Sequence, residues 1–275
     1  RWLEDKDYGN KPFFIALGLQ KPHVPFLAPD QYFDLYPFNK ISYKSDRPNL
    51  WDFLPQSALS KRYEAFGFEF AKENEALRKE YIQAYHACVS FIDAQLGLVM
   101  DSLKKQGLWE DTVIVFTSDH GYHLGDHFIW GKVTLFDIGA KVPFIVRAPG
   151  LSKSGTTSEA MVELIDIYPT LADLAGLKAP IHLHGSSLRP LLGHPERLGK
   201  KKYSYSVVTR GPKSLGYALR NQNWRYGKWP DGEELYNLRS DPQEKNNLAQ
   251  KEHLKERLEL FRKALAKQQE LIQQN

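Results

Sequence analysis

Residues 112–132 read TVIVFTSDHGYHLGDHFIWGK, and the interpretation of the rest of the chain depends on this stretch. Its first part, Thr112–Thr117, is apolar and β-branched, which is typical of a central strand in a parallel sheet. The part after it holds three histidines and two aspartates, punctuated by glycines. Packing alone does not require such a set, and open α/β sheets bind ligands beyond the carboxyl ends of their strands. The stretch therefore predicts a strand followed by a functional loop.

Two kinds of site are compatible with the spacing in this loop. His123 and His127 are four residues apart and could bind zinc from one face of a helix, although there is no H-E-x-x-H pattern and the nearby glycines favour a loop. Alternatively, Asp119 and its neighbour hold a metal ion at the strand end, and Lys132 reaches an anion beside it. Spacing leaves both possibilities open.

Segments on either side of the loop predict an α/β fold. Strands are expected at Lys11–Leu19 and Pro143–Arg147, and helices at Pro29–Tyr36, from about Glu73 to Gln106, and at Tyr168–Ala175. Cys88 lies in the apolar stripe of the long helix and is expected to be a packed core thiol. Residues 38–62 are aperiodic and predict a long surface loop. Alternating strands and helices predict a mostly parallel sheet sandwiched by helices.

The pattern changes after about Pro195. Short antiparallel strands are predicted at Tyr203–Thr209, Gly216–Asn221, Trp224–Trp229 and Glu233–Leu238, with a hairpin turn at Asp231-Gly232. A final helix from about Gln250 presents Leu254, Leu258, Phe261 and Leu265 on one face and is expected to pack on that sheet. We therefore predict a main domain over residues 1–195 and a smaller C-terminal subdomain over residues 196–275.

Composition excludes several classes of protein. The 275 residues carry a net charge of +4 and contain one cysteine, so neither an internal disulfide nor a cysteine-based zinc site can form. No apolar run reaches the roughly 18 residues that a membrane span needs. The densest basic cluster, Lys200–Lys202, is too short for a nucleic-acid patch. Neither a membrane nor a nucleic acid is expected as a partner.

Four motifs resemble those of the alkaline-phosphatase-like sulfatases, and two of them are most similar to the iduronate-2-sulfatase group. Ser118–Gly121, Leu124–His127, Trp130 and Lys132 resemble the family's second metal motif. Lys21–Phe26, reading KPHVPF, resembles a loop that follows the preceding strand in that group. Glu163–Leu171 resembles a helix near the end of the main domain, and Leu235–Leu238 with Asp241-Pro242 and Asn246–Leu248 resembles the C-terminal signature. The motifs occur in family order over nearly the whole chain.

The resemblance implies roles for individual residues. Asp119 is expected to be a carboxylate ligand of one calcium ion, with His120 beside the metal, although calcium prefers oxygen ligands. His23 and Lys132 are expected to hold the sulfate oxygens and to neutralise charge as the S–O bond breaks. His123 and Trp130 are expected to contact the substrate. Asp126 and His127 receive no role.

The same resemblance implies a nucleophile that this sequence lacks. The family uses formylglycine, made from the first residue of a C-x-P-S-R or S-x-P-S-R motif, and neither motif is present; Cys88 does not fit. We therefore expect this chain to be the C-terminal part of a sulfatase, inactive without the N-terminal part. The expected substrate is a sulfated sugar or glycosaminoglycan of the iduronate-2-sulfate type. The family resemblance implies a secreted, periplasmic or lysosome-like location, and the sequence favours a bacterial source.

Two alternatives remain. A metal-dependent phosphodiesterase or phosphonate monoester hydrolase of the same superfamily would need further ligands, which His182 and His184 could supply. A non-catalytic module could bind sulfated glycans through basic residues and through Trp224, Tyr226 and Trp229.

Overall fold

The computed structural model describes residues 2–5, 8–9, 11–43, 46, 49–59, 64–65, 67–70, 74–209 and 215–273. It divides into two compact units, one formed by residues 1–45 and 63–112 and the other by residues 46–62 and 113–275. The predicted boundary near residue 195 lies within the second unit and stays a prediction. The predicted start of the long helix at Glu73, and parts of the predicted loop at 44–45, 47–48 and 60–62, lie outside the described residues.

The first unit is built around one long helix. Its elements are α1 (Trp2–Asp5), α2 (Asp30–Phe33), the hairpin of β1 (Glu64–Ala65) and β2 (Phe68–Glu69), and α3 (Glu75–Lys105). Asn74 caps α3 because its side-chain oxygen accepts a hydrogen bond from the Leu77 amide at 3.3 Å. Gly107 follows the helix with a φ of 70°, which ends it. The predicted long amphipathic helix is confirmed.

Aromatic packing and one buried cation hold α3 in place. The Tyr81 ring meets Phe26 and Phe70 edge to face, at centroid distances of 4.7 and 4.8 Å. The buried Arg78 guanidinium donates from Nε to the Phe70 carbonyl at 2.9 Å. Cys88 is fully buried, and burial raises the pKa of its thiol. Cys88 is thus a packed core thiol, as predicted.

Two predictions in the first unit need correction. Residues 12–19 form no strand, and Phe14 and Leu17 are 78% and 50% exposed. An apolar run becomes a buried strand only beside a partner strand, and none of the described residues pairs with this run. The helix predicted over Pro29–Tyr36 is limited to Asp30–Phe33.

The first half of the second unit holds short elements. They are β3 (Ile114–Thr117), β4 (His123–Leu124), β5 (Trp130–Gly131), α4 (Asp137–Ala140), β6 (Phe144–Arg147), α5 (Ile167–Leu174) and α6 (Arg189–Gly193). β3 pairs antiparallel with β6, with Thr117 opposite Phe144. The predicted parallel sheet is therefore not confirmed among the described residues. Apolar composition indicated a strand in each case and carries no information on the direction of the neighbouring strand. The helix predicted at Tyr168–Ala175 corresponds to α5, which is followed by Gly176 at a φ of 69°.

The second half of this unit forms an antiparallel sheet, as predicted. The strands are β7 (Ser204–Thr209), β8 (Leu215–Arg220), β9 (Trp224–Trp229) and β10 (Gly232–Asn237), in the order β10-β9-β8-β7. A 3-10 turn at Glu252–Leu254 leads into α7 (Lys255–Gln273). Leu258, Phe261 and Leu265 of α7 pack on a sheet face formed by Leu219, Tyr226 and Leu235. The predicted packing of the final helix on the sheet is confirmed.

Residues 49–59 belong to the core of the second unit. They form 3-10 turns at Leu50–Phe53 and Gln56–Ala58, and they bury Leu50, Leu54 and Ala58. Ala58 packs beside Leu135 and Trp229. The prediction of a surface loop over residues 38–62 is wrong for this part, because isolated apolar anchors between turns have no period to detect.

Candidate functional site

The candidate metal ligands lie in a tight turn that follows β3. The Asp119 carboxylate accepts the His120 amide at Oδ1, at 3.1 Å, and its Oδ2 lies 3.4 Å from His120 Nε2. His120 Nδ1 donates to the Gly121 carbonyl at 2.8 Å, so Nε2 is the ring nitrogen that faces the Asp119 carboxylate. The Asp119 side chain is 83% exposed. A carboxylate and an imidazole nitrogen therefore share one solvent-facing edge.

The packing of this turn and of α4 leaves no space for a side chain at two glycines. The Gly121 amide donates to the Gly139 carbonyl at 2.9 Å. A Cβ on Gly121 would lie 2.0 Å from the Ile138 carbonyl oxygen, and a Cβ on Gly139 would lie 2.3 Å from Thr134 Oγ1. A larger residue at 121 would push the turn away from the backbone of α4, whereas one at 139 would collide with the Thr134 side chain. Gly121 is therefore the position that allows the turn to dock on the helix.

Lys132 follows directly from the short hairpin of β4 and β5. The hairpin pairs His123 with Gly131 and Leu124 with Trp130. The Lys132 side chain is half-buried, and no described residue forms an ion pair or hydrogen bond with its ammonium group. A cation that is partly removed from water and has no anion within the described structure is well suited to bind an anionic ligand.

Two residues predicted to contact the substrate are buried inside the same loop. His123 is fully buried; its Nδ1 donates to the Asp126 carbonyl at 3.0 Å, and its Nε2 accepts from the Thr134 hydroxyl at 2.7 Å. Trp130 is only 3% exposed. These positions argue against direct substrate contact by either side chain. They indicate that His123 and Trp130 shape the loop.

His127 is also buried, and its contacts lie within the protein. Its Nε2 donates to the Glu244 carbonyl at 3.1 Å, and its ring stacks on Phe136 with centroids 4.0 Å apart. Burial lowers the pKa of His127, which keeps the imidazole neutral. Both nitrogens of His123 are engaged, and His127 keeps only a buried Nδ1 without a hydrogen-bond partner, so the pair does not offer two free nitrogens to zinc.

Glu244, Arg225 and Asp46 contact or support this loop, and the sequence reasoning missed all three. Glu244 and Arg225 form a buried ion pair beneath the loop, and Asp46 accepts the His127 amide at 2.6 Å. Burial raises the pKa of Glu244 to about 7 against the opposing effect of Arg225. One signal was available: Arg225 and Glu234 stand among aromatic residues at strand positions where a charge is retained only with a partner.

His23 belongs to the first unit, where a compact loop presents it at the surface. Its amide donates to the Gln20 carbonyl at 2.9 Å, and its Nδ1 donates to the Val24 carbonyl at 2.8 Å. Lys21 Nζ donates to the carbonyl oxygens of His23 and Pro25, and the peptide bonds before Pro22 and Pro25 are cis. His23 is therefore exposed on a loop that its own hydrogen bonds restrain, and its role in holding sulfate stays a prediction.

The residues present supply only part of a calcium site. Calcium takes six to eight oxygen ligands. Among the described residues no group of three or more histidine, cysteine, aspartate or glutamate side chains is arranged to hold a metal ion. The Asp119–His120 edge can contribute one or two ligands, and a complete site requires oxygens from elsewhere. His182 and His184 are exposed and belong to no such group.

The chain belongs to the sulfatase family. The family model "Sulfatase" matches residues 1–177, and the model "N-sulphoglucosamine sulphohydrolase, C-terminal" matches residues 125–271. A sulfatase of Formosa agariphila is 38% identical over 267 residues, which cover 96% of this chain and 51% of that protein. Mouse iduronate 2-sulfatase is 28% identical over 334 aligned positions, covering 90% of this chain and 60% of the enzyme.

Solved structures agree on the fold. The structure of a protein in complex with D-glucosamine-2-N,6-O-disulfate superposes with a TM-score of 0.85 at 23% identity, covering 100% of this chain and 68% of that one. A phosphonate monoester hydrolase from Silicibacter pomeroyi gives a TM-score of 0.85 at 25% identity, covering 97% of this chain and 58% of that one. The chain thus spans about half to two thirds of the length of the proteins it matches.

Proposed function

We propose that this chain forms one part of a sulfuric ester hydrolase that removes sulfate from a sulfated sugar of the iduronate-2-sulfate type. The observation that carries the proposal is the loop after β3. It joins a solvent-open carboxylate–imidazole edge, Asp119–His120, to a half-buried Lys132 that no described anion neutralises. The similarity to iduronate 2-sulfatase supports the substrate class.

In this proposal the residues divide the work on the sulfate group. Lys132 binds a sulfate oxygen and offsets the negative charge that develops as the S–O bond breaks. For His23, in the first unit, the family resemblance implies a role in holding a sulfate oxygen. Asp119 and His120 contribute to a calcium site whose remaining ligands come from outside this chain, and bound calcium would add positive charge beside the sulfate. The nucleophile, a formylglycine, comes from the part of the sulfatase sequence that this chain does not cover.

The test is turnover by an enzyme assembled from this chain and a co-expressed polypeptide that carries the family's nucleophile motif. Lys132→Ala is expected to lower kcat for a 2-sulfated uronic acid substrate about 10²- to 10³-fold, the typical cost of removing one charge-stabilising group. Lys141→Ala is the matched control, because Lys141 is an exposed lysine at the end of α4. Equal activity of the two variants would contradict the role given to Lys132.

A phosphonate monoester hydrolase is the second candidate, because two such enzymes share the fold with TM-scores of 0.85 and 0.83. Comparison of sulfate and phosphonate esters as substrates separates the two. Binding of sulfated glycans by exposed aromatic residues receives less support, since Tyr226 and Trp229 are each only 1% exposed. Retention on heparin that is unchanged by Lys132→Ala and His23→Ala would favour that function instead.

We also propose a location outside the cytoplasm, which rests on the substrate class. Within the described residues, no helix is both long and apolar enough to cross a membrane.

A further inference from the structure

One residue of the C-terminal part touches both ends of the loop that carries Lys132. At the start of the loop, His127 Nε2 donates to the Glu244 carbonyl at 3.1 Å. At the end of the loop, the Asp137 amide donates to Glu244 Oε2 at 2.6 Å. We call the segment 127–137 the lysine loop. Both of its ends are hydrogen-bonded to Glu244, one to the backbone carbonyl and the other to the side chain.

The lysine loop needs such closure because its backbone is unfavourable. His127, Phe128 and Val133 have φ values of 57°, 58° and 66°. Residues other than glycine rarely occupy this left-handed region, and they keep it only where the surroundings hold them. Val133 directly follows Lys132, so the direction of the lysine side chain depends on a conformation that the loop does not favour by itself.

A buried cation, Arg225, holds the Glu244 side chain in place. Its Oε1 accepts a hydrogen bond from Arg225 Nε, and Arg225 is only 1% exposed. The Arg225 guanidinium lies over the rings of Phe136 and Tyr236, at 5.0 and 4.7 Å from their centroids. Phe136 belongs to the lysine loop, so the same cation supports the loop directly.

The residue after Glu244 adds a second tie. Lys245 forms an ion pair with Asp46 at 2.6 Å, and the other carboxylate oxygen of Asp46 accepts the His127 amide at 2.6 Å. Trp51 Nε1 donates to the His127 carbonyl, also at 2.6 Å. His127 is thus held through its amide, its carbonyl and its ring. Among these contacts, Glu244 is the one that also binds the far end of the loop.

We propose that Glu244 is a positioning residue that holds the lysine loop in its left-handed conformation and thereby aims Lys132. The effect on loop structure stands independently, whereas any effect on turnover rests on the proposed function of Lys132. Glu234 provides a matched comparison. It contacts the same Arg225 at 3.4 Å, and it also accepts hydrogen bonds from Trp229 and Tyr236, which lie outside the lysine loop.

Amide hydrogen exchange of the 275-residue chain tests the proposal. Glu244→Ala should accelerate exchange in peptides covering 127–137 by about tenfold or more, while peptides from β7 and β8 change by less than about twofold. Glu244→Gln keeps an oxygen that can accept the Asp137 amide, so it should restore part of the protection. Glu234→Gln removes the other carboxylate charge beside Arg225, at 3.4 Å, and should leave the exchange of the lysine loop near that of the wild type.

The comparison remains decisive if Glu244→Ala fails to fold, because both glutamine variants are isosteric. Equal exchange of the lysine loop in Glu244→Gln and Glu234→Gln would overturn the proposal. Turnover of the assembled enzyme separates the proposal from the function. A loosened loop in Glu244→Gln with an unchanged kcat would preserve the positioning role and contradict the catalytic role of Lys132, whereas a lower kcat at nearly constant KM supports both.

Discussion

At the scale of single residues, the space around Gly121 determines whether the candidate metal ligands can dock on α4. Gly121→Ala places a methyl group 2.0 Å from a backbone carbonyl, which cannot rotate away. We expect a loss of about 2 to 4 kcal/mol in the free energy of unfolding, because the helix or the turn must shift. Thermal or urea unfolding measures this loss.

Gly97 is the control for that substitution. It lies within α3, and an added Cβ would meet no atom within 4 Å. Gly97→Ala is expected to stabilise the protein by about 0.5 to 1 kcal/mol through the higher helix propensity of alanine. If the two substitutions had the same effect, close approach would not be the reason for glycine at position 121.

A second prediction at this scale concerns acid stability. Hydrogen bonds from Arg262, together with those from Tyr226 and the charge of Lys228, lower the pKa of Glu233 from 4.5 to about 2. A carboxyl group with a depressed pKa in the folded state stabilises the protein above pH 4.5 and loses that contribution as the pH falls from 4.5 towards 2. Glu233→Gln should therefore cost about 1 kcal/mol at pH 7, since the site is partly open to solvent, and almost nothing at pH 2.

Unfolding curves at several pH values check this prediction. Glu259→Gln is a suitable control, because Glu259 also pairs with Arg262 but lies on the exposed face of α7. A pH-independent difference between wild type and Glu233→Gln would show that the ionisation of Glu233 does not contribute to stability.

At the scale of elements, α7 is held on the antiparallel sheet by a narrow apolar stripe. Phe261 is 3% exposed and contacts the Tyr203 and Tyr226 rings at centroid distances of 5.5 and 5.7 Å. Phe261→Ala should lower the free energy of unfolding by about 3 to 5 kcal/mol. Leu260→Ala, at a neighbouring position that is 64% exposed, should change it by less than about 0.5 kcal/mol. Similar losses for both variants would contradict the observed orientation of the helix.

Periodic elements were the ones that the sequence predicted well. The stripes of α3 and α7 repeat every three or four residues, so the positions of several residues support each prediction. The strands β7 to β10 are short runs, and the Asp231-Gly232 turn between β9 and β10 helped to locate them. The run Lys11–Leu19 and the pair of β3 and β6 have no such repeat. Their apolar composition indicated strands, but neither the presence nor the direction of a partner strand is encoded locally.

The sequence predicted the location of the candidate site in a loop, but it could not predict the contacts within that loop. The position after β3 and the cluster of aspartate and histidine residues located it. The burial of His123 and His127 depends on Thr134 and on Glu244, which lies far away in sequence. A ligand histidine and a structural histidine look alike until the tertiary contacts are known.

At the scale of the whole molecule, exposed apolar side chains occur on two segments whose apolar sequences predicted strands of the central sheet. Phe14 is 78% exposed in the first unit, and Ile145 of β6 is 60% exposed in the second. Exposed apolar side chains of this kind often mark surfaces that another polypeptide covers. They support the proposal that a further polypeptide completes the enzyme.

The most direct test of the proposed activity is the ratio of kcat/KM for a 2-sulfated uronic acid substrate to kcat/KM for a phosphonate monoester, measured with the assembled enzyme. A sulfatase should favour the sulfate ester by at least about 10²-fold, since specificity reflects differential stabilisation of the two transition states. A ratio below one, or hydrolysis of the sulfate ester that does not change with Lys132→Ala, would contradict the proposed function.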